Sequence, residues 1–335
     1  MTFGAARIDL VHDSMRRRHG RVSAGLATRG RWGPAAVAQG AAGPLATLPR
    51  MSSTPTSSPT ADTRTIAFIG GGNMASALIG GLLRAGLAPS QLIVVDPGAE
   101  QRARLVADFG VRTLAVADAT LAEAALVVWA VKPQLFKEAA APVAPHAAGA
   151  LHLSVMAGLR CDGIAAALGL APAAARIVRS MPNTPALIGR GIAGLHALPA
   201  VSADERTWIE AVLAPTGQTL WVEQESQLDA VTALSGSGPA YVFYLVEAMM
   251  AGAQALGLSA EQGKRLALAT FDGAAALAAQ SPESPATLRE RVTSKGGTTY
   301  AALQSLAADQ VDAAMVRALQ AAARRAAELG DEFGR

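Results

Sequence analysis

The feature that most constrains this chain is the run from residues 65 to 83, TIAFIGGGNMASALIGGLL, in which an apolar strand meets three glycines and then a helix. Gly70, Gly72 and Ala75 fit the spacing G-x-G-x-x-A. The first glycine permits a tight turn, the second lets backbone approach a pyrophosphate, and the small third residue lets helix pack closely on strand. A helix starting near Asn73 would turn its free N–H groups and positive dipole end toward that pyrophosphate. The bare pattern is common, and its context is what gives it weight. Ile66, Phe68 and Ile69 form a β-type run before the turn, and Gln91 to Asp96 (QLIVVD) reads as the next parallel strand. Asp96 ends that strand 26 positions after Gly70, where a dinucleotide fold places its ribose-binding acid.

From Arg64 to about Val222 strands and helices alternate, which predicts a parallel sheet with helices on both faces. A charged helix over Ala99 to Phe109, a short strand near Val111 and a helix near Ala117 to Ala124 follow the Asp96 strand. Leu126 to Val131 (LVVWAV) is apolar throughout, as a central strand covered on both faces would be. It stops at Lys132-Pro133, where Pro fits the first turn of the next helix. Leu151 to Val155 and Arg176 to Met181 read as further strands, with Ile192 to His196 and Gln218 to Val222 as late edge strands. Beyond Val222 only helices are predicted. One of them, Pro239 to Leu256, carries six consecutive apolar or aromatic residues from Tyr241 to Val246, so it must be buried on every side. A subunit interface does that more readily than a domain of about 110 residues, which predicts an obligate homo-oligomer. The expected fold class is therefore α/β, an N-terminal Rossmann-type doubly wound sheet over 63–224 followed by an all-helical domain over 225–335 that serves dimerisation and substrate binding.

Residues 1–62 show no sustained apolar periodicity and pass from Arg-rich to a Ser/Thr/Pro stretch, the composition of a disordered leader. Met51 opens a segment that would by itself make a sensible start, and a transit peptide is the alternative reading. The first fifty residues hold eight Arg and two Asp, a surplus of +6 against +3 for the whole chain, so the remainder carries −3. The basic balance thus belongs to the leader and argues for no nucleic-acid surface. One cysteine, Cys161, excludes an internal disulfide and fits a reducing cytoplasm. No apolar run is long enough for a membrane span. No His, Cys or carboxylate spacing suggests a metal. The five histidines are isolated or lie in the leader.

Three stretches are unlike ordinary connectors: MPNTPALIGRG (Met181 to Gly191), LSGSGPAY (Leu234 to Tyr241) and VTSKGGTTYAAL (Val292 to Leu303). Glycines, hydroxyls and unpaired helix N–H groups together make a carboxylate receptor, although each stretch alone could be a cap or a turn. With FIGGGNM and AVKP, these stretches resemble pyrroline-5-carboxylate reductase over the chain from about Thr65 to the last helix. The resemblance implies NAD(P)H-dependent reduction of the cyclic imine 1-pyrroline-5-carboxylate to proline, the last step of proline biosynthesis. It also implies a helical domain that interlocks with its twin, with dimers often assembling further.

Carried over residue by residue, the cofactor loop falls on Ile69, Gly70, Gly71, Gly72, Asn73 and Met74. The second-strand contact is Asp96, the A-V-K-P contact is Ala130, Val131, Lys132 and Pro133, and the contact after the next strand is Val155 and Ala157. The substrate carboxylate would meet the N–H groups of Gly297, Thr298 and Thr299 beside Ser294. The Thr299 hydroxyl would hydrogen-bond the imine nitrogen, and Glu225 matches an acidic position associated with substrate. Three departures stand out: Lys295 where the family usually has Pro, and Arg291 and Ala117 in place of asparagines that touch the cofactor in some relatives. Asp96 favours NADH, the family often uses NADPH, and Arg102 or Arg104 could offset the repulsion, so both cofactors are expected. The alternatives are a β-hydroxyacid dehydrogenase or imine reductase of the same architecture, or a dinucleotide-binding sensor without turnover.

Overall fold

The computed structural model describes residues 63–333. The leader over 1–62, including the Met51 start, lies outside the described residues. Eight strands form one sheet in the order β3-β2-β1-β4-β5-β6-β7-β8. They are β1 (Thr65–Ile69), β2 (Leu92–Val95), β3 (Arg112–Leu114), β4 (Ala124–Trp129), β5 (Leu151–Ser154), β6 (Ile177–Met181), β7 (Gly191–Ala197) and β8 (Gly217–Trp221). Helices α1 (Asn73–Arg84), α2 (Ala99–Phe109) and α5 (Ala203–Leu213) cover one face, and α3 (Phe136–Ala147) and α4 (Cys161–Ala167) cover the other.

Alternation along each strand feeds the two layers. Ile66, Phe68, Leu126 and Val128 pack with Leu78, Ile79 and Ile209 on one side, while Ala67, Ile69, Val127 and Trp129 pack with Phe136, Val143 and Ile164 on the other. Burying both faces requires strands that are apolar at every position, which is why LVVW carries no polar residue.

Strands β1 to β6 are parallel to their neighbours, but β7 runs antiparallel to β6. The link between those two strands, residues 182–190, is too short for a parallel crossover, which takes a dozen residues or more. The pairing of β7 with β8 is parallel again, and α5 supplies that crossover. Two expected elements change form. The helix near Ala117 to Ala124 is a 3₁₀ turn, Ala119–Glu123, whose start is capped by Asp118 Oδ1 accepting from Thr120 N at 2.9 Å. The central strand begins at Ala124 and ends at Trp129, because Lys132-Pro133 already turns the chain into another 3₁₀ turn.

After β8 the chain is helical: α6 (Gln227–Val231), a π-helical turn at Thr232–Gly236, α7 (Gly238–Ala255), α8 (Ala260–Gln280), α9 (Pro285–Arg291), α10 (Thr298–Ala308) and α11 (Val311–Phe333). Helix α7, expected to be enclosed, buries only Val246 within one chain, and Phe243 and Tyr244 are 60% and 72% exposed. Leu266, Leu268 and Leu277 of α8 are exposed as well. Apolar surface on this scale marks an interaction face. No helix among the described residues is long and apolar enough to cross a membrane.

Candidate active site

The carboxyl ends of the parallel strands are tied into one row by a staircase of backbone bonds. Gly70 N donates to Val95 O at 2.8 Å, Asp96 N to Leu114 O at 3.0 Å, Ala130 N to Ile69 O at 2.8 Å, and Val155 N to Trp129 O at 3.1 Å. Each residue just past its strand is thus anchored to the last carbonyl of a neighbouring strand. The four expected cofactor segments, Ile69 to Met74, Asp96, Ala130 to Pro133, and Val155 with Ala157, consequently leave the sheet side by side.

The glycine turn has the geometry a pyrophosphate needs. Gly70 has φ +93°, and a Cβ there would lie 2.8 Å from Ala130 O, so only glycine fits. Gly72 is the N-cap of α1, carries no side-chain cap, is exposed, and has no atom within 4 Å of where a Cβ would stand. The first N–H groups of α1 therefore face open space, and Asn73 is exposed beside them, with Met74 half-buried. These features fit a dinucleotide diphosphate. Lys132 is exposed and caps the 3₁₀ turn that begins at Pro133, Val131 is half-buried beside Gly70, and Ala157 is exposed on the loop after β5.

At the ribose end, Asp96 Oδ2 accepts from Gly71 N at 2.8 Å and Oδ1 accepts from Gly98 N at 2.8 Å. Gln101 Nε2 donates to Gly71 O at 2.5 Å, and Arg102 Nη1 donates to the carbonyls of Asp96 and Pro97. Sequence reasoning missed Gln101 and Gly98. Nothing in the spacing of α2 distinguishes Gln101 from any other polar helix residue.

Two of the unusual stretches come together. Asn183 Nδ2 donates to Ser235 Oγ at 3.3 Å, and Asn183 Oδ1 accepts from Ile192 N at 3.1 Å. The MPNTPALIGRG loop is thereby joined to the LSGSGPAY turn, whose Tyr241 hydroxyl donates to Ala233 O.

The third stretch stands apart. Gly297 is the uncapped N-cap of α10, so the N–H groups of Thr298 and Thr299 open the helix without a side-chain partner. Ser294 and Thr298 are exposed and Thr299 is half-buried. The hydrogen bonds of this loop are local, such as Gly297 N to Ser294 O, and none among the described residues joins it to the sheet edge. Next to it a cleft of about 510 Å³ between α9, α10 and α11 is lined by Arg289, Thr293, Tyr300, Leu303 and Val311, among others.

Glu225 belongs to a different group of residues. Its Oε1 accepts from Cys161 N at 2.8 Å and from Arg179 Nη1 at 3.1 Å, and the Arg179 side chain is only 5% exposed. That places Glu225 under the loop carrying Val155 and Ala157, where it holds the start of α4 to β6. At the α9–α10 loop, Arg291 is paired with Glu283. Near Glu225, burial raises the Asp229 carboxyl, with Arg179 and Arg160 opposing. Burial, reinforced by the Glu225 charge, raises the Cys161 thiol far above its usual range, which makes it an inert core residue.

Comparisons with known proteins match each half of this arrangement. Residues 65–158 match the family described as NADP oxidoreductase, coenzyme F420-dependent, and residues 225–329 match pyrroline-5-carboxylate reductase dimerisation. Over 270 residues the chain is 45% identical to the pyrroline-5-carboxylate reductase of Pseudomonas aeruginosa, covering 80% of this chain and 98% of that one. The chain belongs to the pyrroline-5-carboxylate reductase family. The Haemophilus influenzae reductase is 41% identical over the same shares. Among solved structures, a pyrroline-5-carboxylate reductase from Coxiella burnetii superposes with a TM-score of 0.76 at 36% identity, covering 80% of this reductase and 99% of that chain. A pyrroline carboxylate reductase from Plasmodium falciparum with NADP bound gives 0.70 at 25% identity, covering 80% of this reductase and 98% of that chain.

Proposed function

We propose that this chain reduces 1-pyrroline-5-carboxylate to L-proline with NADPH or NADH, as a homo-oligomer in the cytoplasm. The observation that carries the reading is the pairing, in one chain, of an open glycine turn at the carboxyl edge of the sheet with an uncapped, hydroxyl-rich helix start at Gly297. The first suits a diphosphate and the second suits a carboxylate, the two anionic groups that this reaction must hold.

When bound, the reduced nicotinamide supplies a hydride to the C=N carbon. The residues of the chain do the rest. The N–H groups of Thr298 and Thr299 hold the substrate carboxylate, with Ser294 lining the loop; the Gly297 N–H, expected to join them, is already taken by Ser294 O at 3.0 Å. The Thr299 hydroxyl hydrogen-bonds the imine nitrogen, orienting the ring and passing a proton to nitrogen from solvent. Ile69 to Met74, Asp96, Ala130 to Pro133, Val155 and Ala157 hold the dinucleotide. Fixing distance and orientation in this way removes the entropic cost of bringing hydride donor and imine together.

The helices from residue 225 onward would serve dimerisation and substrate binding. Helix α10 packs chiefly on α11, and α7 and α8 leave broad apolar faces open. We therefore assign the substrate loop of one protomer to the cofactor edge of its partner. Glu225 acts as a positioning residue for the loop after β5. The deciding experiment follows NADH and NADPH oxidation with pyrroline-5-carboxylate, with proline as the product assayed, in wild type and Thr299→Ala. The expectation is turnover in wild type and a fall in kcat of about 100-fold or more in the variant. Nucleotide binding with no oxidation would support a sensor instead, and undiminished turnover in Thr299→Ala would remove Thr299 from the mechanism.

A further inference from the structure

We propose that the last turn of α11 positions the loop after β5 for nucleotide binding, with Phe333 and Asp331 as its positioning residues, an inference that rests on the sheet edge being the cofactor site. That loop, residues 155–160, carries Val155 and Ala157 but has little of its own to hold it. Val155 N is bonded to Trp129 O at 3.1 Å and Met156 N to Ser154 Oγ at 3.3 Å, and the next anchored amide is Cys161 N, on Glu225 Oε1. The end of α11 borders the stretch between them. A Cβ at Gly158 would lie 3.0 Å from Phe333 Cδ2 and 3.4 Å from Leu329 Cβ, and Phe333 packs on the cluster that holds Met156, Leu159 and Ile164. Two residues on, Arg160 Nη2 meets Asp331 Oδ1 at 2.7 Å, and its guanidinium lies against Gly330, where a Cβ would stand 3.1 Å from Nη2. The loop is thus gripped at its middle by an aromatic ring and at its end by an ion pair.

The two contacts differ in weight. Arg160 and Asp331 are 39% and 59% exposed, so their pair adds little stability and chiefly sets direction. The half-buried Phe333 supplies the apolar contact. Helix α11 is a firm support, because its other turns pack on α6 and the π-helical turn, and Arg325 pairs with Glu328 and Glu332 to hold the final turn helical. Ordering a loop before its ligand arrives lowers the entropy that binding must remove. The latch therefore acts on nucleotide affinity and leaves the hydride-transfer step alone.

The test is titration of the full chain with NADH and NADPH, read by nicotinamide fluorescence, beside steady-state kinetics with pyrroline-5-carboxylate. Phe333 borders a cleft of about 500 Å³ between α3 and α4, so truncating it leaves the sheet core intact. Phe333→Ala should weaken both nucleotides by about fivefold or more, with kcat at saturation within about twofold of wild type, and Phe333→Leu should recover most of the affinity. Asp331→Arg, which sets two cations against each other, should weaken binding by about threefold, and adding Arg160→Asp should restore it. Hydrogen exchange without nucleotide reads the loop itself: the Val155, Met156 and Cys161 amides should exchange faster in Phe333→Ala, while those of β4 keep the wild-type rate. Affinities within about twofold of wild type in both single variants would overturn the proposal. A fall in kcat at unchanged Kd, or unchanged exchange in the loop, would overturn it as well. Failure of both nucleotides to bind the wild type would instead overturn the cofactor edge itself.

Discussion

Replacing Gly72 by aspartate should separate folding from cofactor binding. Gly72 sits at the N-cap of α1 with φ −67° and ψ −170°, exposed, with nothing within 4 Å of a Cβ. Those dihedrals are ordinary for any residue, and aspartate is a favoured N-cap. Its carboxylate would accept from the first free N–H groups and interact with the helix dipole, a gain of about 0.5–1 kcal/mol over glycine. For a body of this size that raises Tm by about 1–4 °C. The same carboxylate would occupy the N–H groups that a pyrophosphate needs and place a negative charge beside it. At about 4 Å and an effective dielectric of about 20 the repulsion is about 4 kcal/mol, roughly a thousandfold in affinity. Thermal denaturation with and without NADH reads both effects. The expected result is an unchanged or higher Tm without nucleotide and no further rise on adding it. Nucleotide affinity within tenfold of wild type would refute the placing of the pyrophosphate at this turn.

Two further perturbations probe the frame of the site. Trp129 Nε1 donates to His152 Nδ1 at 3.2 Å in the buried core, His152 Nε2 makes no hydrogen bond of normal geometry, and burial, only partly opposed by the Ala147 carbonyl, pushes the His152 pKa down to about 4. The unfolded chain takes up this proton near pH 6.5 and the folded one near 4, so stability is full above 6.5 and declines as pH falls between those values. From pH 7 to 5 the loss is about 2 kcal/mol, and urea denaturation should show it in wild type but not in His152→Asn, which keeps an acceptor for Trp129. Glu225→Ala should cost about 3 kcal/mol, because it strands the buried Arg179 guanidinium and the Cys161 N–H. The same variant should weaken cofactor binding by loosening the loop after β5; a loss under about 1 kcal/mol in denaturant titration would show that the pair is dispensable.

The sheet was legible where the signals are local. The glycine turn, the apolar runs of β1, β2 and β4, and the Asp96 strand end are each written within a few residues. What escaped depends on contacts between distant segments. The antiparallel β7 follows from the length of residues 182–190 rather than from any strand pattern. The bond of Asn183 to Ser235 spans 52 positions, and that of Glu225 to Cys161 spans 64. A glutamate that receives a guanidinium from a strand cannot be told from one that faces a substrate by residue type alone. The open faces of α7 and α8 were the converse case: an all-round apolar sequence demands burial, and a single chain leaves most of it unmet.

The most direct test of the account is complementation in mixed oligomers. Gly72→Asp disables the cofactor edge and Thr299→Ala the substrate loop, so each homo-oligomer is strongly impaired. If the loop of one protomer serves the edge of its partner, a mixed dimer contains one site with both parts intact, and co-expression should restore a large share of imine-dependent NAD(P)H oxidation. Verified mixed dimers no more active than the parent variants would contradict that arrangement.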